Sequence, residues 1–306
     1  MTEEIKQKEE DLKLLPDTFP DMTDIGLGPW SVSKLKCIQN CSLQFYLRYI
    51  VKLKVPPPPM NEDRARTSLG SAAHAILEYI AKGHTVEDAF NIVQETSKNY
   101  LPEEYWPLIE KENRYNIEMF WTRIQEFKAR HDVKKIYPEL KLGMTKDFKK
   151  TSFFADDVYF RGVVDIALEL NNGDALIIDH KRGPDPAWGL RAYEFQLSSY
   201  IPLFHYGYKN INGAQTGVHF INHGEILLNK YQTSEKVAEK NAKELVFYAE
   251  AAAEAVEEKG GFMHKRGNMC KYCDYQEMCK AGKRGTSGDL EKYASASKQL
   301  INITEI

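Results

Sequence analysis

Residues 158–181 limit this chain's possible folds more than any other stretch. Two runs, VYFRGVVDIALEL and DALIIDHK, flank Asn171-Asn172-Gly173. Both are rich in β-branched and aromatic residues, which predicts two strands, and the Asn-Asn-Gly step predicts a tight hairpin turn between them. Residues two apart on a strand face the same side. Asp179 and Lys181 therefore point together, across the hairpin from Asp165. The alternative, an ion pair on an edge strand, fits poorly with the apolar residues around these charges, because a charge within an apolar strand needs a partner or a metal. Two converging carboxylates suit a hard cation such as Mg²⁺ or Mn²⁺. A lysine beside them can hold a phosphate or a metal-bound water.

The segments around the hairpin change period. SVSKLKCIQNCSLQFYLRYI opens on serines able to cap a helix and spaces Leu35, Ile38, Phe45 and Tyr49 helically. VPPPPMNEDRART (55–67) reads as an exposed connector. Helices are expected over 68–82, after Thr85 with Asp88 as a capping pair, and from Pro107 to Arg130 with Ile117, Phe120, Trp121, Ile124 and Phe127 on one side. YPELKLGM and TSFFADD read as strands before the hairpin. A helix over 190–206, strands at GAQTGVHFI and GEILLNKY, and a long helix from Ser234 follow it. This order predicts an α/β domain: a mixed central sheet flanked by helices, with a helical N-terminal part. The expected boundaries are a tail at 1–24, one domain at 25–282 and a polar tail at 283–306. With 306 residues and a net charge of −3, the chain is not a polycation, although a basic groove can be local.

Five cysteines remain to be placed: Cys37, Cys41, Cys270, Cys273 and Cys279. The first thirty residues carry no apolar leader and no run of eighteen apolar residues occurs, so a reducing cytoplasm is expected and no membrane partner. Clustered thiols there read as a metal or redox site. Cys270, Cys273 and Cys279 lack a fourth ligand. Cys41 or Cys37 could supply it from the other end of the chain (270 − 41 = 229 residues away), or His264 locally. Spacing alone leaves zinc and iron–sulfur chemistry open.

Four segments together resemble the PD-(D/E)xK nuclease superfamily and, within it, the RecB-like branch. GSAAHAILEYI resembles the G-x-x-x-H helix and supplies His74. RGVVDIA resembles the G-x-x-D strand and supplies Asp165. IIDHKRG resembles the D-x-K strand and supplies Asp179 and Lys181. QLSSY resembles the Q-x-x-x-Y helix and supplies Gln196 and Tyr200. The resemblance implies a restriction-endonuclease-like core. It also implies a Mg²⁺ or Mn²⁺ site held by His74, Asp165, Asp179 and the His180 carbonyl, with Lys181 orienting the attacking water and Gln196 and Tyr200 holding Lys181 or the nucleic-acid backbone. Glu139 is a further candidate acid.

The thiols resemble those of an iron–sulfur subset of the branch, which includes CRISPR-associated, AddB-type and phage proteins. That likeness implies a 4Fe–4S cluster on Cys41, Cys270, Cys273 and Cys279, in a C-terminal iron–sulfur segment. CSLQFYLRYI matches the early ligand at Cys41, with Ser42 where the family commonly has proline.

The expected activity is a metal-dependent deoxyribonuclease, an exonuclease on single-stranded ends in recombination, repair or phage DNA metabolism. It would act in the bacterial cytoplasm, or in host cytoplasm for a phage-encoded chain. The sequence holds no G-x4-G-K-[ST] segment, so unwinding would fall to a helicase or recombination partner. The competing class is a non-catalytic DNA-end-binding adaptor stabilised by the cysteine site. For DNA contacts, Lys146, Lys149, Lys150, Arg182 and Arg191 offer charge, and Trp30, Phe45 and Tyr46 offer stacking faces.

Overall fold

The computed structural model describes residues 26–55, 62–183, 189–258, 261–263, 265, 267, 270, 273–276 and 279. The expected tails at 1–24 and 283–306, and His264, lie outside the described residues. The chain divides into two compact units, Met1–Pro59 with Val246–Ile306, and Met60–Leu245.

In the first unit, α1 (Val32–Asn40) starts at Ser31, whose hydroxyl accepts the Lys34 N–H at 3.2 Å. A continuous helix through Tyr49 was expected, but the chain turns extended at Cys41 (φ −163°, ψ 106°). It then resumes as a helical turn over Ser42–Phe45 and a π-helical turn over Tyr46–Ile50. Tertiary pairing causes the break. The Leu43 N–H, which an unbroken helix would spend on Gln39, bonds the Met263 carbonyl instead at 3.0 Å. The Ser42 hydroxyl accepts the Met263 N–H at 2.7 Å. Phe262 packs on Phe45 and Tyr46, and Trp30 stacks on Phe45. These four rings are buried, so Trp30, Phe45 and Tyr46 are core residues rather than surfaces for nucleic-acid bases. Arg48 pairs with Asp274 at 3.1 Å, and the Tyr275 hydroxyl donates to the Leu53 carbonyl at 3.2 Å.

The second unit opens on α2 (Glu62–Ala81), six residues earlier than expected. The proline run stops at Pro59, which leaves the chain free to turn helical before Ser68. The helix α3 (Val86–Thr96) starts on the predicted cap, with the Thr85 hydroxyl accepting the Asp88 N–H at 3.1 Å and donating to its carboxylate at 2.7 Å. In α4 (Trp106–Arg130), Ile117, Phe120 and Ile124 are buried, and Trp121 and Phe127 pack partly buried on the same core.

The sheet comprises β1 (Val133–Met144), β2 (Lys150–Thr151), β3 (Phe160–Leu170), β4 (Ala175–Lys181), β5 (Gly213–Phe220), β6 (Glu225–Leu228) and β7 (Gln232–Thr233). Its order is β2-β1-β3-β4-β5-β6, with β7 also on β5. The β4–β5 pair is parallel and the other pairs are antiparallel. TSFFADD is strand only at Thr151: the Ser152 hydroxyl accepts the Phe154 N–H and the Ser152 carbonyl the Ala155 N–H, so local turn bonds replace a ladder. The predicted hairpin turn is present, with Gly173 at φ +85° and its N–H on the Leu170 carbonyl. Ile166, Leu168, Leu176 and Ile178 pack against α2, α3 and α4.

The crossover from β4 to β5 is a 3₁₀ turn over Leu190–Tyr193, then α5 (Glu194–Gly207). This helix sits close to β1 and β3. A Cβ on Gly207 would meet the Gly143 carbonyl oxygen at 2.8 Å, and one on Gly162 would meet Leu203 at 2.8 Å. The last helix, α6, spans Ser234–Glu257 as expected.

Candidate active site

The ladder between β3 and β4 runs from Glu169↔Ala175 to Ile166↔Ile178 and stops there. The next residues in the same register are Asp165 and Asp179, so both acids stand where the two strands part. On the other flank, β1 and β3 pair Pro138 with Ile166 and Leu140 with Val164, and skip Glu139 and Asp165. Glu139 adopts φ +46°, a left-handed conformation rare outside glycine. One row across three strands therefore carries Glu139, Asp165 and Asp179.

From α2, His74 places Nδ1 3.5 Å from Asp165 Oδ2. Single ligand atoms from His74, Glu139 and Asp165 all lie within 4.8 Å of one another. Asp165 Oδ2 also accepts the His180 N–H at 2.6 Å. Asp179 is buried, and its Oδ1 accepts from Gln196 Nε2 at 2.9 Å and the Tyr200 hydroxyl at 2.7 Å. Its Oδ2 has no well-aligned hydrogen bond and faces the Lys181 ammonium. The predicted helix pair is thus brought together, with Gln196 also 2.8 Å from the Tyr200 oxygen, but it grips Asp179 rather than Lys181. Tyr193 lies under the Lys181 ammonium, 5.8 Å away.

Burial, and then the charge of Asp179, pushes the Asp165 carboxyl well above the usual carboxylate range. Burial and then Glu78 raise Glu139. Burial and then Lys181 lower His74, which keeps its imidazole neutral and able to ligate. Acids forced together out of water are stabilised by a cation. The His74 imidazole nitrogen with the Glu139 and Asp165 carboxylate oxygens forms a donor set that fits Mg²⁺ or Mn²⁺. The His180 ring lies edge-on to Phe120 and to the His74 ring, 5.7 Å from the latter, with Nδ1 3.1 Å from His219 Nδ1.

A groove of about 390 Å³ adjoins the site, lined by Gly70, Ser71, His74, Ala75, Glu78 and Glu139. The sequence reading missed Glu78, although its place one helical turn after His74 was a usable signal. Arg182 is engaged internally, to Glu112 at 2.5 Å and Asn113 at 3.1 Å, whereas Arg191 is exposed. Lys149 pairs with Asp147, and Lys150 lies over the Tyr208 ring.

The thiols all belong to the first unit. Pairing of Ser42 and Leu43 with Met263 brings the chain after α6 to Cys41, whose sulfur is 3.9 Å from the Met263 carbonyl. Burial pushes Cys37 and Cys273 up to about 11, and neighbouring thiols add to both, Cys41 and Cys273 at Cys37 and Cys41 and Cys279 at Cys273.

A forked mixed sheet with acids, histidine and lysine at the fork defines the metal-dependent nuclease class. The chain belongs to the PD-(D/E)XK nuclease superfamily, whose family model matches residues 29–280. None of the proteins of curated function matches it. One similar solved structure, described as "Crystal structure of SSO0001", is 14% identical over 82% of this chain and 96% of that chain, with a TM-score of 0.32. No described helix is long and apolar enough to cross a membrane.

Proposed function

We propose that this chain is a divalent-metal-dependent deoxyribonuclease that works as an exonuclease on single-stranded ends. The observation that carries this reading is the row Glu139–Asp165–Asp179 completed by His74 and Lys181. His74, Glu139, Asp165 and Asp179 would hold the ion, with the His180 carbonyl as a further donor. When bound, Mg²⁺ or Mn²⁺ supplies Lewis acidity toward a phosphoryl oxygen and a more acidic water. The chain supplies placement. Gln196 and Tyr200 fix Asp179 through Oδ1, which leaves Oδ2 toward the site. The Lys181 ammonium beside it positions the attacking water and offsets charge on the phosphate.

The second part of the proposal is a 4Fe–4S cluster on Cys41, Cys270, Cys273 and Cys279, within a nuclease domain at 25–282. It is supported by the bonds of Met263 to Ser42 and Leu43, which follow Cys41, and by the effect of Cys41 and Cys279 on Cys273. Buried thiols held above their ordinary range need metal to become thiolates. The setting we propose is cytoplasmic recombination, repair or phage DNA metabolism, with strand separation supplied by a helicase partner.

End-labelled single- and double-stranded DNA, with and without Mn²⁺, tests the activity. Release of short products from single-stranded ends only with Mn²⁺ is expected. An absence of metal-dependent cleavage on either DNA would overturn it.

A further inference from the structure

The strands that carry Glu139 and Asp165 continue into an exposed aromatic patch. Residues 141–161 hold five cations, Lys141, Lys146, Lys149, Lys150 and Arg161, against three carboxylates, Asp147, Asp156 and Asp157. That is a local excess of two positive charges in a chain of net charge −3. Lys141 Nζ lies 5.5 Å from the Phe154 ring centroid, and the Arg161 guanidinium 4.8 Å from that of Phe153. The two rings meet edge to face at 4.9 Å. Arg161 also donates to the Phe153 carbonyl at 3.2 Å, which fixes the loop that presents both rings. Phe154 is 72% exposed.

A single exposed phenylalanine needs no explanation. This one is braced by a cation and by the edge of a second ring, and it stands in the loop that leads from β2 into β3. Lys141 is two residues beyond Glu139, and Arg161 four residues before Asp165, about 13 Å along an extended strand. A preordered ring flanked by cations favours a planar base joined to phosphates over an uncharged apolar partner.

We propose that Phe154, braced by Phe153, Lys141 and Arg161, is a stacking platform for an unpaired base of the substrate strand. The cations would sit against its neighbouring phosphates. The inference rests on the nuclease reading and sharpens it. In a duplex the base faces are already stacked, so the platform selects single-stranded DNA.

Two variants test this. Phe154→Ala should raise KM for single-stranded DNA about tenfold, the effect of losing one base–aromatic stack. Its Mn²⁺-dependent turnover of bis(p-nitrophenyl) phosphate and its denaturation midpoint should match the wild type. Phe154→Trp should keep the wild-type KM, and oligothymidylate should quench the new tryptophan's fluorescence where a blunt duplex does not. An unchanged KM in Phe154→Ala, or equal quenching by both DNAs, would overturn the platform. Should the wild type hydrolyse neither DNA nor the small diester with Mn²⁺, the nuclease reading fails instead, and the quenching experiment still decides whether Phe154 meets a base.

Discussion

Asp179 is held from several directions, which makes it the residue most sensitive to small changes nearby. The Tyr200 hydroxyl and Gln196 amide bond one oxygen, and Lys181 faces the other. A hydrogen bond to a charged group contributes about 1.5–3 kcal/mol. Tyr200→Phe removes one such bond and the Gln196 amide's bond to the same hydroxyl. Cleavage should fall about tenfold or more, and unfolding free energy should fall by about 1.5–3 kcal/mol without loss of the fold. A variant as active as wild type would show that Asp179 needs no second donor. Asp165, Asp179, Lys181 and His74 were legible because strand parity and motif spacing fix them before any tertiary contact forms. Glu139 was legible only as a spare acid. Its place opposite Asp165 depends on a left-handed backbone at φ +46°, which no spacing rule encodes.

At the scale of elements, two seams hold the sheet to its surroundings, and each yields a prediction. The first is α5 against β1 and β3. A Cβ at Gly207 would strike a backbone oxygen, which can move only with its strand, whereas one at Gly162 would strike the end of a leucine side chain. Gly207→Ala should therefore destabilise by about 1–3 kcal/mol, and by more than Gly162→Ala. Urea midpoints of the two variants make the comparison, and the reverse order would contradict this packing.

The second seam is Glu169 at the end of β3, bonded to Lys209 at 2.6 Å, Tyr137 at 2.6 Å and Lys134 at 3.0 Å. Burial alone would raise this carboxyl, but the three hydrogen bonds outweigh it and hold it down at about 2, against 4.5 unperturbed. Because the folded value is depressed, its stabilisation is complete above about 4.5 and is lost as pH falls toward about 2. Glu169→Gln should be less stable at neutral pH and should lack that part of the acid dependence, as thermal midpoints across this pH range will show. The strands around the hairpin were legible from composition. The TSFFADD segment was not, because aromatic residues signal strand while the Ser152 side chain and carbonyl take the N–H groups that pairing needs.

For the whole molecule, the sequence displayed the parts but not every joint between them. The mixed sheet and its order of elements followed from alternating periods. The break at Cys41 did not, since helical spacing runs unbroken from Leu35 to Tyr49 and the interruption comes from Met263, more than two hundred residues away. That joint bears on the proposed cluster. Cys41→Ser should give colourless protein of low iron content, whereas Cys37→Ser should stay brown, as iron analysis and visible absorption will read. The opposite result would make Cys37 the ligand.

The central claim, that the fork of β3 and β4 is a metal-dependent hydrolytic site, is tested most directly by calorimetric Mn²⁺ titration and DNA cleavage on the same sample of Lys181→Ala. Removing the ammonium leaves His74, Glu139, Asp165 and Asp179 in place. Mn²⁺ should still bind while cleavage of single-stranded DNA is abolished. Cleavage at the wild-type rate would contradict it.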